Sequence, residues 1–167
     1  MSKTHPLTRT RKAKALELFR SGRLDEARAG LEKILRINRR DADVWQLLGT
    51  IHGIHGRLAE AESCLRQGLD IDPHDPLALN ALGIVYVTRG RHREAHTCFE
   101  KAVRLKPDYF LALTNLGNTL ATLGQADAAV DCYRRSLHVA PAETATWANL
   151  GSALTQIDRH LEAVEAC

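Results

Sequence analysis

Two histidine pairs and a series of cysteines are the residues whose spacing could do chemistry. His92 and His96 lie four apart, so a helix would set both imidazoles on one face, where two ring nitrogens can hold one metal ion. Arg91 and Arg93 beside them disfavour a bound cation, and the pair reads as a solvated helix face. His52 and His55 lie three apart; His52 occupies the place that Tyr86 takes later, so it is expected to be packed with its ring nitrogen satisfied. Cys64, Cys98 and Cys132 recur at a step of 34, and Cys167 falls 35 further on. Equivalent sites on neighbouring helices stand about 8–10 Å apart, and a disulfide needs Cα atoms within about 7 Å. These thiols therefore read as small packing residues. No phosphate-binding loop, nucleophile elbow or metalloprotease helix motif is present, so no catalytic, metal or cofactor residue is assigned, and the chain by itself is read as non-enzymatic.

The elements that would carry these residues follow from the same step. Leu48-Gly49, Leu82-Gly83, Leu116-Gly117 and Leu150-Gly151 are separated by 34 residues. Gly22, Gly56, Gly90 and Gly124 share that step, as do Ala27, Ala61, Ala95, Ala129 and Ala163, and Pro73, Pro107 and Pro141. A constant period of this length means stacked units rather than one irregular core. Within each period two stretches place apolar residues at helical spacing. The glycine between them suits a left-handed helix end. Asp75-Pro76 offers an N-cap and a first-turn proline. Small residues such as Gly83 and Ala95 allow the two helices to approach, and Trp45 and Trp147 are expected in the core. The sequence predicts an all-α, right-handed solenoid of about four and a half helix–turn–helix units in a single domain over 1–167: 8–41, 42–75, 76–109, 110–143 and a truncated 144–167.

Charge separates the two ends. Residues 1–40 carry twelve Lys and Arg against four Asp and Glu, net +8; the rest carries eleven against sixteen, net −5, which sums to the formal +3. The cluster Arg9, Arg11, Lys12, Lys14, Arg20, Arg23 and Arg28 could meet nucleic acid or an anionic surface. It lacks interleaved aromatics apart from Phe19, so nucleic acid is disfavoured and a polar cap on the array is the simpler reading. No apolar run reaches eighteen residues, and the basic N-terminus is not followed by an apolar stretch. A cytoplasmic protein is the expectation.

In series these motifs resemble the tetratricopeptide repeat. The set is Trp45, Leu48-Gly49, His52, Ala61, Leu65 and Pro73 in the second unit, and Leu79, Leu82-Gly83, Tyr86, Ala95, Phe99, Ala102 and Pro107 in the third. The fourth has Leu113, Leu116-Gly117, Leu120, Ala129, Tyr133 and Pro141, and the fifth Trp147, Leu150-Gly151, Leu154 and Ala163. The resemblance implies protein–protein interaction, with a peptide or partner segment in the groove lined by the first helices. Groove candidates are Gln46, Thr50, Asn80, Thr114, Asn115, Asn118, Thr122, Asn149, Ser152 and Gln156, an almost uncharged set of amides and hydroxyls. Cationic clamps for a C-terminal carboxylate are absent there except for Arg9 and Lys12 in the first unit. Asn115 and Asn149, in register within TNLGNTL and ANLGSAL, resemble the asparagine ladder of O-linked N-acetylglucosamine transferases and their bacterial relatives. That implies an alternative, the recognition part of a larger bacterial glycosyltransferase or sulfotransferase. The last unit stops inside its second helix, so a truncated edge near Leu161 and Val164 is expected to favour self-association.

Overall fold

The computed structural model describes the backbone of residues 6–165 and the side chains of residues 10–158. Among the described residues every regular element is a helix: α1 (Pro6–Arg20), α2 (Leu24–Ile37), α3 (Ala42–Ile54), α4 (Leu58–Ile71), α5 (Pro76–Thr88), α6 (His92–Leu105), α7 (Phe110–Thr122), α8 (Ala126–Val139) and α9 (Thr144–Glu165). From α2 to α8 the helix starts keep the step of 34: 24, 58, 92 and 126 for one series, 42, 76 and 110 for the other, with α9 at 144.

The turn inside each hairpin is one motif used four times. Gly90, at φ 71°, lets the chain reverse so that Arg91 N–H reaches Tyr86 O at 2.8 Å and Gly90 N–H reaches Val87 O at 2.9 Å. These bonds close the last carbonyls of α5. Arg23 to Leu18, Arg57 to His52 and Gln125 to Leu120 make the same long bond, each at 2.9 Å. The loops between hairpins differ. Asp75 caps α5 by accepting from Leu77 N–H at 2.8 Å, with Pro76 as the first helical residue, and Asp41 accepts from Val44 N–H at 3.3 Å to open α3.

The chain forms two compact units, Met1–Leu82 and Gly83–Cys167. In the first, α1 packs on α2, α2 on α3, and α3 on α4. Its core is Ala15, Ala27, Leu31, Ile34, Val44, Leu48 and Ile51. In the second, α7 packs on α6 and α8, and α9 on α8, around the buried Phe99, Leu113, Leu116, Tyr133 and Leu137. Glycines set the depth of packing. A Cβ on Gly83 would stand 2.5 Å from the Phe99 ring, and one on Gly117 would stand 2.5 Å from the Tyr133 ring. In these two hairpins the aromatic of the second helix thus lies against the glycine of the first, a place that Leu65 takes against Gly49.

Three expectations are corrected. The fifth unit was expected to be a hairpin that stops inside its second helix, but α9 runs unbroken from Thr144 to Glu165. Asp158 stands where Gly124 stood one period earlier, carries a Cβ and keeps a right-handed backbone, so nothing there ends the helix. The tryptophans were expected in the core, yet Trp147 is 53% exposed and Trp45 half-buried. Each donates its indole N–H to a loop carbonyl at 2.9 Å, Trp45 to Arg39 and Trp147 to Pro141, so both tie the preceding loop to the helix instead of filling the interior. His52 was expected to have a satisfied ring nitrogen; its Nδ1 is buried without a hydrogen-bond partner. Cys64 and Cys98 are half-buried and Cys132 buried, and none of the three is in a disulfide. The side chains of Arg9, Leu161, Ala163, Val164 and Cys167 lie outside the described residues.

Candidate functional site

Within the second unit a cavity of about 140 Å³ opens between α5 and α7. Ile84, Val87 and Thr88 form one wall, Asn115, Asn118, Thr119 and Thr122 the other, with His92 and Phe99 below. The period explains why α5 and α7 face it with different chemistry. Ile84 and Asn118 occupy the same repeat position, and so do Phe99 and Tyr133. Apolar Ile84 goes with apolar Phe99. Where Asn118 replaces the isoleucine, Tyr133 replaces the phenylalanine, and its hydroxyl donates to Asn118 Oδ1 at 2.9 Å.

The same oxygen accepts from Asn149 Nδ2, also at 2.9 Å. One carboxamide oxygen therefore receives two donors, one from α8 and one from α9, and the Asn118 side chain is fixed. Neither Asn118 Nδ2 nor Asn149 Oδ1 has a hydrogen bond among the described residues, so a donor and an acceptor stand side by side. That pairing matches the C=O and N–H of a peptide backbone. The walls carry no carboxylate, lysine or arginine. His92 Nδ1, buried and without a partner, is a further polar atom in the floor.

The other candidates divide. Asn115 is half-buried and lines the cavity. Thr122 is exposed on the same wall, with its hydroxyl bonded to Asn118 O at 2.9 Å. Ser152 and Gln156 are exposed on α9. Thr114 leaves the set: its hydroxyl turns inward to Ser136 Oγ at 2.8 Å and Thr146 Oγ1 at 3.0 Å. Ser136 and Thr146 are buried, so the three hydroxyls satisfy one another between α7, α8 and α9. Asn80 also leaves the set, being only 6% exposed. In the first unit Gln46 and Thr50 are half-buried and bonded to each other at 3.0 Å, a local pair on α3.

Asn115 and Asn149 hold the same repeat position one period apart, and the bond that Asn149 makes is to Asn118. The sequence reading missed Tyr133 as the group that orients Asn118. The signal was present in the paired change from Ile84 and Phe99 to Asn118 and Tyr133, fifteen residues apart in both repeats. Lys12, one of the two cations considered for a carboxylate clamp, bonds Asp41 at 2.7 Å and also Asp43. Burial works to lower its pKa, but the two carboxylates outweigh that and raise it.

Hairpins of constant length, joined by one turn motif and packed closely across Gly49, Gly83 and Gly117 of the first helices, define a helical-hairpin repeat protein. The sequence profile of the tetratricopeptide repeat matches residues 12–76, 80–144 and 114–167, and the chain belongs to that family. No curated protein matches the sequence. Among solved structures, that of MamA protein superposes with a TM-score of 0.78 at 20% identity, covering 95% of this chain and 86% of that one. PilF from Pseudomonas aeruginosa gives 0.82 at 19% identity, covering 95% and 72%. The first TPR of Spaghetti (RPAP3), bound to the HSP90 peptide SRMEEVD, gives 0.68 at 23% identity over 70% and 93%. At these identities the likenesses concern the fold. No helix among the described residues is long and apolar enough to cross a membrane.

Proposed function

We propose that this chain is a peptide-binding module of the tetratricopeptide family and that its second unit holds an extended, uncharged segment of a partner protein between α5 and α7. The observation that carries the reading is the Tyr133–Asn118–Asn149 arrangement. It presents one amide donor and one amide acceptor at fixed positions beside an apolar recess formed by Ile84, Val87 and Phe99. Backbone recognition by the amides would set the register, and the recess would take one aliphatic side chain. A neighbour of the same fold that holds a peptide supports the mode. The chemistry of the ligand differs, because SRMEEVD is acidic and the walls here bear no Lys or Arg.

The test is selection from a random heptapeptide display library, followed by affinity measurement on single variants. Asn118→Ala should weaken the selected peptide at least about tenfold, the order of one good hydrogen-bonded contact. Tyr133→Phe, which frees Asn118 without touching the ligand, should weaken it by a smaller factor, with helicity unchanged in both. Selected peptides that bind both variants as tightly as the parent would refute the site.

A further inference from the structure

The first unit contains a cavity that the groove reading does not use. It measures about 450 Å³ and lies between α2 and α4, floored by α3. Its apolar surface comes from Leu35, Leu48, Trp45 and the half-buried Cys64. Trp45, Leu48 and His52 follow one another at three and four residues, so they share a face of α3 that differs from the face of Gln46 and Thr50.

The repeats supply an internal control for why this cavity exists. The position of His52 is filled by Tyr86 and Leu120 in later repeats, each only 5% exposed. The position of Arg39 is proline at 73, 107 and 141. Both departures from the repeat pattern lie on the wall of this one cavity. Replacing tyrosine by the shorter histidine removes volume, and replacing proline by arginine adds a cation at the rim.

The polar groups are incomplete without a ligand. His52 Nδ1 is buried and has no partner. Burial, with Arg57 and Arg28 adding to it and Glu60 and Glu32 opposing, holds the imidazole below its ordinary pKa, so it is neutral at neutral pH and offers an uncharged hydrogen-bonding atom. At the rim Glu32 is held by Arg28 at 2.9 Å. Arg36 and Arg39 are exposed and have no ion-pair partner among the described residues. The net field at the mouth is therefore positive.

The geometry points to a second docking site in this chain: the α2–α3–α4 cavity takes one aromatic side chain of an acidic partner segment. The ring stacks among Leu35, Trp45 and Leu48, a backbone group of the segment bonds His52 Nδ1, and flanking carboxylates meet Arg36 and Arg39. A volume of 450 Å³ falls in the range that holds small ligands and anchor residues. The proposal does not depend on the groove of the second unit.

The probe is a heptapeptide with one central phenylalanine and three acidic residues on each side, titrated into the full chain carrying Trp147→Phe so that emission reports Trp45. Binding should shift that emission. His52→Tyr, which installs the residue found at 86 and fills the cavity, should reduce affinity at least tenfold while thermal stability stays equal or rises. The surface pair Arg36→Ser and Arg39→Ser, which leaves the core alone, should reduce affinity at least tenfold at low salt. Serine in place of the probe's phenylalanine should abolish binding. The proposal is overturned if the parent gives no emission change, if His52→Tyr binds as tightly as the parent, or if the arginine pair has no effect.

Discussion

Single side chains in this repeat protein are best understood by what stands at the same place one period away. His52 is the sharpest case, because in the next two repeats its place is taken by the buried Tyr86 and Leu120. Its imidazole is held below the ordinary value of 6.5 by burial first, then by Arg57. The unfolded chain therefore binds a proton more readily than the folded one across that window. Stability from this group is complete above pH 6.5 and falls as pH drops through 6.5 toward the folded value. Urea denaturation between pH 7.5 and 5 should show the midpoint declining with acid, and His52→Leu should flatten that decline; an unchanged slope in the variant would assign the decline to other groups. The same comparison shows what was legible in the groove. Asn118 could be named from sequence because it falls, with Thr50 and Ser152, at a first-helix position that the apolar packing pattern leaves unused. Its fixing by Tyr133 could not, because a hydroxyl on a core aromatic has no meaning until the helices are packed. Asn80 and Thr114 were misplaced for a related reason: a polar residue on a first helix can point to solvent or be satisfied inside, and Ser136 and Thr146 decide the matter for Thr114.

At the scale of elements the reading was strongest wherever backbone conformation alone decides. The four glycines at φ between 70° and 78° end four helices because only glycine takes that region without a Cβ clash. Asp158 lacks this freedom, and α9 continues. The sequence showed the missing glycine but not its consequence, since the fifth apolar pattern still resembles a hairpin. The continuous helix bears on Trp147. Its counterpart Leu113 is fully buried while Trp147 is 53% exposed, for no second helix folds back beyond a turn at 158. Residue size is thus a poor guide to stability here. Leu113→Ala should cost about 2–5 kcal/mol through the cavity it leaves. Trp147→Ala should cost about 0.5–1.5 kcal/mol, close to the loss of its single bond to Pro141. Chemical denaturation of both variants tests the order, and a tryptophan variant as damaged as the leucine variant would show that the ring is buried in solution.

Over the whole molecule the question is what the uneven charge can do. A block of net +8 in the first forty residues suggests a polyanion partner when read as composition. The structure reduces that force from within. Of the seven cations in the cluster, Lys12 is bridged by Asp41 and Asp43, Arg23 is paired with Glu26 at 2.6 Å, and Arg28 with Glu32 at 2.9 Å. Arg11, Lys14 and Arg20 are exposed and have no ion pair among the described residues. Counterion release scales with the phosphates neutralised, at about 0.9 per contact in the slope of log affinity against log salt. Removing Arg11, Lys14 and Arg20 together should therefore flatten the salt dependence of duplex DNA binding by about 2.7. Replacing Lys12, Arg23 and Arg28 by serine should change the slope by less than about one, since their charge is already answered within the fold. Equal flattening by the two sets would mean that the internal pairs open to meet phosphate and that the basic end is a nucleic-acid surface. Absence of duplex DNA binding at low salt would make it the polar flank of an interaction module, with Arg36 and Arg39 left to select acidic segments.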